Sequence, residues 1–268
     1  MRHLTTYTYA PPSGRAVMRL RLFPTTFDTQ LVSRWRVSVN GEAVHPNLTD
    51  GCAVPEGVWS GDGPTEMLEI VAEGDVERSD DAGVVRGLKE RTPTELFLRP
   101  TDLTTTNEAI RGLAEGARRP DRLDTLHTLA AAVRDAVDYR PETTDMATSA
   151  AEALAQKAGV CQDHAHVFCA AARHLGLPAR YVAGYYLPGE DAGLSQTHGW
   201  AEGYAEGLGW VGFDVANRTC PTRDHVRVAI GLDASRAALI SGAVAAPATG
   251  SSEERMTASV AISSQQQQ

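Results

Sequence analysis

A cysteine at the start of a predicted helix is the residue whose type and position most directly suggest chemistry. Cys161 follows Gly159, where a short helix is expected to end, and a longer helix is predicted from Cys161 to about Leu175. Free N–H groups and the helix dipole at such a start stabilise an anion, and thiols so placed ionise more readily. Because the thiolate is the reactive form, this position predicts that Cys161 is a nucleophile.

A candidate base and a candidate acid lie on two predicted strands further along the chain. Thr197–Ala205 and Gly209–Val215 are predicted to form an antiparallel hairpin in which His198 lies directly opposite Asp214, with the turn centred on Glu206. Side chains opposed in this way have Cβ atoms about 4.5–5.5 Å apart. The carboxylate of Asp214 would then accept the imidazole N–H and hold one tautomer, as in a catalytic triad.

The elements that must position these residues divide into a strand-rich and a mixed part. Val17–Phe23 and Leu31–Val39 alternate apolar and polar residues, which indicates strands with one buried face. Turn-forming clusters between such runs favour a small β-sandwich of about six strands. The predicted division is a β-sandwich over 1–77, a linker over 78–95, a catalytic core over 96–245 and a loosely ordered tail over 246–268.

Helical signals begin after the linker. Asp121–Tyr139 places apolar residues along one face, and 149–152 reads Ser-Ala-Ala-Glu, the pattern of a capping box at a helix start. After the helix that carries Cys161, the pattern returns to strands, beginning with Ala179–Leu187. The fold class expected is therefore α+β, with helices packed on an antiparallel sheet.

Composition excludes several classes of function. The chain has 268 residues and a net charge of −9, without the basic stripe that nucleic-acid binding needs. No apolar run approaches the length of a membrane span, and the first thirty residues lack the apolar stretch of a secretory signal. We expect a cytoplasmic protein that binds neither nucleic acid nor membrane, and the sequence leaves its oligomeric state open.

The cysteines and histidines give no further signal for a disulfide or a metal. Cys161 and Cys169 would lie about 12 Å apart on one helix, too far for a disulfide. His164 and His166 point about 200° apart on that helix, so they do not readily share one ion. Neither a metal nor another cofactor is expected.

Three segments resemble a known family. They are residues 159–186 (GVCQDHAHVFCAAARHLGLPARYVAGYY), 197–204 (THGWAEGY) and 209–221 (GWVGFDVANRTCP). They are similar to the transglutaminase-like cysteine-enzyme superfamily, and most closely to its bacterial branch with a β-rich N-terminal region, whose members are described as cysteine protease candidates. The resemblance implies a papain-like α+β core with Cys161 as nucleophile, His198 as base and Asp214 as orienting acid.

Two positions depart from that pattern. Gly199 stands where typical members have alanine, and Val215-Ala216-Asn217 stands where they commonly have Pro-Thr-Asn. Neither departure removes a member of the triad, so both bear on substrate preference more than on activity.

Other residues near these positions are candidates for binding substrate. Tyr139 resembles the family's aromatic position near the acyl site, and His164 lies one turn after Cys161. Trp200 is predicted on the same face as His198, where core packing is favoured over lining a substrate channel. Glu202 is expected to be a solvated strand residue.

The function expected is acyl transfer by a thiol on peptide or amide bonds through a thioester. Water as the acceptor gives a cysteine peptidase or amidase, and an amine gives a transglutaminase. The cytoplasmic setting and the lack of a visible calcium loop favour hydrolysis of a peptide or protein substrate. A non-catalytic binding or scaffold protein that keeps the fold is the alternative from another class.

Overall fold

A computed structural model describes residues 1–90, 92–188, 197–245 and 253–261. Its helices are α1 Glu108–Ala117, α2 Arg122–Ala136, α3 Ala150–Gln156 and α4 Cys161–His174, with short 3₁₀ turns at Thr94–Leu98 and Asp102–Thr104. Its strands are β1 Arg2–Ser13, β2 Ala16–Leu20, β3 Gln30–Val39, β4 Glu42–Val44, β5 Leu48–Thr49, β6 Pro55–Gly61, β7 Thr65–Arg78, β8 Val84–Val85, β9 Asp138–Tyr139, β10 Ala158–Gly159, β11 Ala179–Tyr186, β12 Thr197–Ala205, β13 Gly209–Phe213, β14 His225–Gly231, β15 Ile240–Val244 and β16 Glu253–Ala261.

The N-terminal strands form the predicted β-sandwich. One sheet has the order β16-β1-β7-β3-β4 and the other the order β15-β2-β6-β5. In β2, Ala16, Met18 and Leu20 are buried while the residues between them are exposed. This alternation places one face of each sheet in a shared apolar core. The expected α+β fold with an N-terminal β-sandwich is confirmed.

Two strands from the C-terminal end complete this sandwich. β15 pairs with β2, with Gly242 opposite Met18, and β16 pairs with β1 along its whole length. Residues 246–268 were expected to be a loosely ordered tail, but the structure places Glu253–Ala261 in a sheet; residues 246–252 and 262–268 lie outside the described residues. Backbone hydrogen bonds to a sheet edge can order a segment whose side chains give little signal.

The central sheet, with strand order β14-β11-β12-β13-β8, carries the helices on one face. α4 packs directly against β11 and β12, and nearly all of its residues are buried. The predicted capping box is present, because Ser149 and Glu152 exchange hydrogen bonds at the start of α3. The predicted linker, 78–95, contains β8, which pairs with β13 as the edge strand of this sheet.

The other face of the central sheet packs against the N-terminal sandwich, and it buries a charge cluster. Glu202 accepts hydrogen bonds from Arg180 at 2.6 Å and from Arg227 at 2.7 Å. The expectation that Glu202 is solvated is therefore wrong: it is 1% exposed. Burial alone would raise the pKa of Glu202, but the two guanidinium groups hold it below its usual range.

None of the described helices has the length and apolar character needed to cross a membrane.

Candidate active site

Cys161 is the first residue of α4, as predicted, and a buried carboxylate secures the backbone just before it. Asp163 accepts the backbone N–H of Val160 at 2.7 Å and the hydroxyl of Thr144 at 2.6 Å. A Cβ at Gly159 would lie 2.7 Å from the side chain of Asp163, so only glycine allows this close approach. Burial raises the pKa of Asp163 above its usual value. The thiol is therefore held at a helix N-terminus where the backbone N–H of the preceding residue, Val160, already donates to Asp163.

His164 connects this helix start to the segment that carries Tyr139. Its Nδ1 lies 2.8 Å from the carbonyl oxygen of Val160, and its Nε2 lies 2.9 Å from that of Val137. The side chain is fully buried. Since both ring nitrogens are engaged by the backbone, His164 positions the helix start and is not available to a substrate, contrary to its place among the candidate substrate-binding residues.

The predicted hairpin of β12 and β13 is confirmed, but its predicted register is wrong by two residues. Ala201 lies opposite Phe213, and Ala205 lies opposite Gly209. The turn is centred on Gly207, midway between the paired Ala205 and Gly209, and Gly207 adopts a positive φ of +81°, which glycine accommodates without steric cost. A shift of two residues keeps every side chain on its predicted face.

His198 and Asp214 therefore still meet, across a diagonal of the sheet and not directly opposite. His198 Nε2 lies 2.8 Å from Asp214 Oδ2. The same oxygen lies 3.0 Å from His225 Nε2 and accepts the side-chain N–H of Asn217 at 2.7 Å. Burial would raise the pKa of Asp214, but hydrogen bonds from the two histidines and Asn217 hold it below its usual range.

His198 is held as a cation between Asp214 and Cys161. Burial would lower its pKa, but hydrogen bonds to Asp214 and to Cys161, together with the charges of both, raise it to about 10. Because Nε2 is taken by Asp214, Nδ1 is the nitrogen left for the sulfur. Only 12% of the His198 side chain is exposed. The arrangement places a charged imidazole beside the thiol in a largely dry setting.

Tyr139 and Trp200, the other two candidate substrate-binding residues, have different surroundings. Tyr139 is 47% exposed and stacks on His164 with ring centroids 6.3 Å apart. Burial and the charges of Cys161 and Asp214 raise its pKa, which places its hydroxyl near the site. Its exposure leaves it open to solvent. Trp200 is 2% exposed and stacks behind the His198 ring at 6.1 Å, where it supports that ring and cannot meet a substrate.

His225 and Asn217 were missed as site residues. Asn217 was noted in the sequence only as part of a departing motif, although its position three residues after Asp214 lets its side chain turn back to the carboxylate. His225 begins β14, a strand that was not predicted, and it joins the site through long-range pairing with β11. No local pattern around His225 could have indicated this contact.

His198, Asp214 and His225 also have the composition of a metal site, and their donor atoms lie within 4.8 Å of one another. A metal ion would need the lone pair of His225 Nε2. The backbone N–H of Thr222 donates to His225 Nδ1 at 3.0 Å, which makes Nδ1 the acceptor and leaves the hydrogen of the neutral ring on Nε2. The hydrogen bonding around His225 therefore favours donation to Asp214 over metal coordination.

Two protein families match the chain. Residues 110–215 match the transglutaminase-like superfamily, and residues 1–77 match the bacterial transglutaminase-like N-terminal region. The first match contains Cys161, His198 and Asp214.

Relatives and a solved structure agree with these matches. An uncharacterized protein of Mycobacterium leprae is 28% identical over 257 residues, which cover 90% of each chain. One from Mycobacterium tuberculosis is 32% identical over 161 residues, 55% of this chain and 50% of the relative. A crystal structure from Cytophaga hutchinsonii, provisionally described as a cysteine protease, has a TM-score of 0.72 at 20% identity and covers 98% of this chain and 92% of its own. That likeness shows a shared fold. The two family matches, which together cover 1–77 and 110–215, identify the chain as a member of the transglutaminase-like superfamily, in the bacterial branch that carries this N-terminal region.

Proposed function

We propose that the protein is a thiol-dependent acyl-transfer enzyme that acts on peptide or amide bonds, with Cys161 as nucleophile, His198 as acid and base, and Asp214 as the residue that orients His198. The observation that carries the proposal is the charge-paired placement of His198 between Asp214 Oδ2, at 2.8 Å, and the thiol at the start of α4. A histidine held in this way keeps a proton ready for a leaving group.

The first half-reaction forms a thioester. The thiolate of Cys161 attacks the carbonyl carbon, and the carbonyl π electrons move onto oxygen. The backbone N–H of Cys161 is the proposed donor to that oxygen, because the first N–H groups of a helix have no acceptor within the helix. As the intermediate collapses, the C–N bond breaks and His198 Nδ1 gives its proton to the departing amine.

The second half-reaction releases the acyl group. His198, now neutral, takes a proton from water while the water oxygen attacks the thioester carbon, and the C–S bond breaks to return the thiolate. Asp214 stabilises the imidazolium each time it forms and stays ionised itself. An amine in place of water would give transglutamination by the same steps. We favour hydrolysis, with a peptide or protein as substrate.

The proposal includes a cytoplasmic location, because a catalytic thiol has to stay reduced and the cytoplasm maintains reduced thiols. It also retains 96–245 as the catalytic core and needs no metal or other cofactor for the steps above.

Iodoacetamide labelling across pH tests whether Cys161 is activated. We expect Cys161 to be alkylated at pH 6 at least ten times faster than the other cysteines, because the thiolate is the form that reacts. Cys52, Cys169 and Cys220 serve as internal references, and burial raises the pKa of each. Labelling of Cys161 no faster than Cys52 or Cys220, which are partly exposed, would indicate a non-catalytic binding or scaffold protein.

A second assay separates hydrolysis from transfer. A glutamine-containing peptide is incubated with a fluorescent amine and either the wild-type protein or Cys161→Ala, with Cys220→Ala as a matched control. Shortened or deamidated peptide that depends on Cys161 supports hydrolysis. Incorporation of the amine that depends on Cys161 would replace hydrolysis with transglutamination.

A further inference from the structure

One carboxylate oxygen of Asp214 serves two histidines. His198 Nε2 lies 2.8 Å from Oδ2 and His225 Nε2 lies 3.0 Å from it. His198 faces the thiol, whereas His225 is fully buried behind the carboxylate and takes no part in the steps proposed above. A buried imidazole at this place, unused by the reaction, calls for a physical role.

The tautomer of the neutral His225 ring is set by its surroundings. Its Nδ1 accepts the backbone N–H of Thr222 at 3.0 Å, and a nitrogen that accepts a hydrogen bond carries no hydrogen of its own. The neutral ring therefore has its hydrogen on Nε2, which points at Asp214. Because the donor to Nδ1 is a backbone group, no side-chain rotation can reverse this tautomer.

The ring of His225 is also held rigidly. It packs against Tyr186 with centroids 4.6 Å apart and meets the edge of Trp200 at 5.5 Å. Trp200 in turn stacks on His198. These ring contacts and the Thr222 N–H hold His225 in an orientation in which its Nε2–H points at Asp214 Oδ2.

We propose that His225 is a positioning residue of the catalytic site that acts through Asp214: its Nε2–H shares Asp214 Oδ2 with His198 and so limits how strongly Asp214 holds the proton on His198. The inference rests on the function proposed above. A carboxylate that gives part of its charge to a second donor attracts the imidazolium less. His198 can then release its proton to the leaving amine more readily than a histidine paired with an unshared carboxylate.

Asn217 and His225 have separable parts in this arrangement. Asn217 donates to Oδ2 from its side chain at 2.7 Å and to Oδ1 from its backbone at 3.3 Å, so the carboxylate keeps its place when His225 is changed. The effect of removing the His225 N–H should therefore appear mainly in the strength of the His198–Asp214 interaction.

Within the described parts of the chain, titratable groups from three further elements face these histidines. Cys161 contributes its thiol from the start of α4, Tyr139 its phenol from β9, and Tyr186 its phenol from β11. Burial raises the pKa of each phenol. His198, whose pKa is raised to about 10, is the group whose loss of a proton the alkaline limb of the profile is designed to report.

The test compares His225→Phe, which keeps an aromatic ring but has no N–H, with His225→Gln, whose amide N–H₂ can reach the place of Nε2. The rate of Cys161 alkylation by iodoacetamide is measured from pH 5 to 11. We expect the alkaline limb, where His198 loses its proton, to move upward by roughly 0.5 to 1 pH unit in His225→Phe, the shift that one ordinary hydrogen bond corresponds to. His225→Gln should stay near the wild-type profile. His174→Gln, a histidine at the far end of α4, is the matched control.

Turnover gives a second readout once a substrate is found. In His225→Phe, kcat should fall by about three- to tenfold while KM stays the same, because proton release to the leaving group is slowed and binding is untouched. A loss that appeared equally in His225→Gln would assign His225 to packing alone and overturn the inference.

Nitrogen NMR of histidine-labelled wild-type protein provides a test that does not depend on any variant folding. The inference requires that in the neutral ring of His225 Nδ1 is bare and Nε2 carries the hydrogen. A protonated Nδ1, or an unmoved alkaline limb in a folded His225→Phe, would overturn it. Wild-type Cys161 that labels no faster than the other thiols would instead refute the proposed function, so the two failures are distinguishable.

Discussion

Gly199 follows the candidate base directly, and we expect its replacement by alanine to disturb both stability and the site. A Cβ at this position would lie 1.9 Å from the hydroxyl oxygen of Tyr181 and 2.6 Å from the ring carbon that bears it. Real Cβ atoms do not approach other atoms within 3 Å, so the ring or the strand must move. The alanine that is typical of the family at this position is excluded here because Tyr181 fills the space.

Neither neighbour can move at low cost. Tyr181 is 6% exposed, and its ring packs against the buried His166 at 5.4 Å. Gly199 is paired within the sheet, opposite Ala183. Overpacking of a well-filled core costs about 1–3 kcal/mol, and this overlap should fall at the upper end, about 3 kcal/mol. Because His198 precedes Gly199, a shift of the strand would also move the imidazole from the thiol.

Urea unfolding and alkylation of Cys161 at pH 7 measure the two effects of Gly199→Ala. We expect the free energy of unfolding to fall by about 3 kcal/mol and the alkylation rate by at least tenfold. In a Tyr181→Phe background, where the hydroxyl oxygen is gone, the same change should cost about 1 kcal/mol less, with the 2.6 Å contact to the ring carbon still present. The control is Gly112→Ala on α1, where a Cβ meets nothing within 4 Å and should stabilise the helix.

Two results would refute this reasoning. Gly199→Ala that unfolds within about 0.5 kcal/mol of wild type, the effect of an ordinary surface substitution, would mean that Tyr181 does not occupy the space beside Gly199. A full cost that persists in the Tyr181→Phe background would place the clash elsewhere.

Three further predictions concern the buried charges. Glu202→Gln removes the buried carboxylate that pairs with Arg180 and Arg227, although Arg180 keeps an ion pair with Glu90. It should lower the free energy of unfolding by about 3 kcal/mol, and a loss below about 1 kcal/mol in urea unfolding would contradict this. The pKa of His198 is raised from 6.5 to about 10, so its contribution to stability is complete below pH 6.5 and lost as the pH rises through 10. The difference in free energy of unfolding between wild type and His198→Ala should therefore shrink over that range. A difference that stays constant would refute the charge pairing. Asp163→Ala removes the acceptor of the Val160 N–H and should cost about 1–2 kcal/mol in thermal unfolding, with slower alkylation of Cys161 as the sign that the helix start has moved.

Much of the candidate site could be predicted because its signals are local. Cys161 lies at a helix start because Gly159 and the residues around it end one element and begin another. The contact between His198 and Asp214 survived an error of two residues in the register, since strand side chains alternate with a period of two. The prediction depended on which residues share a face of the strand, which the alternation in the sequence shows, and not on the exact position of the turn.

The rest depended on contacts between distant segments. Glu202 sits in an alternating strand, and alternation predicts one solvated face; here the sandwich covers that face. His225 reaches Asp214 only through the pairing of β14 with β11, and Glu253–Ala261 is ordered by pairing with β1 at the other end of the chain. The local sequence pattern of a strand does not indicate which distant strand it pairs with.

The N-terminal sandwich is part of the support of the site and not an appended module. The side chain of Gln30 accepts the backbone N–H of Arg227 at 2.9 Å and donates to its carbonyl at 2.8 Å, so it completes the hydrogen bonding at the edge of the central sheet. His3 Nδ1 lies 2.6 Å from the hydroxyl of Tyr185, and a single apolar cluster runs from the sandwich to Trp200. Because Trp200 stacks directly behind the His198 ring, the packing of the sandwich reaches the candidate base through one side chain. A fragment without residues 1–77 would expose the face of the central sheet that carries Trp200. Loss of activity in such a fragment would therefore report loss of support for His198. It would not by itself assign a substrate-binding role to the sandwich.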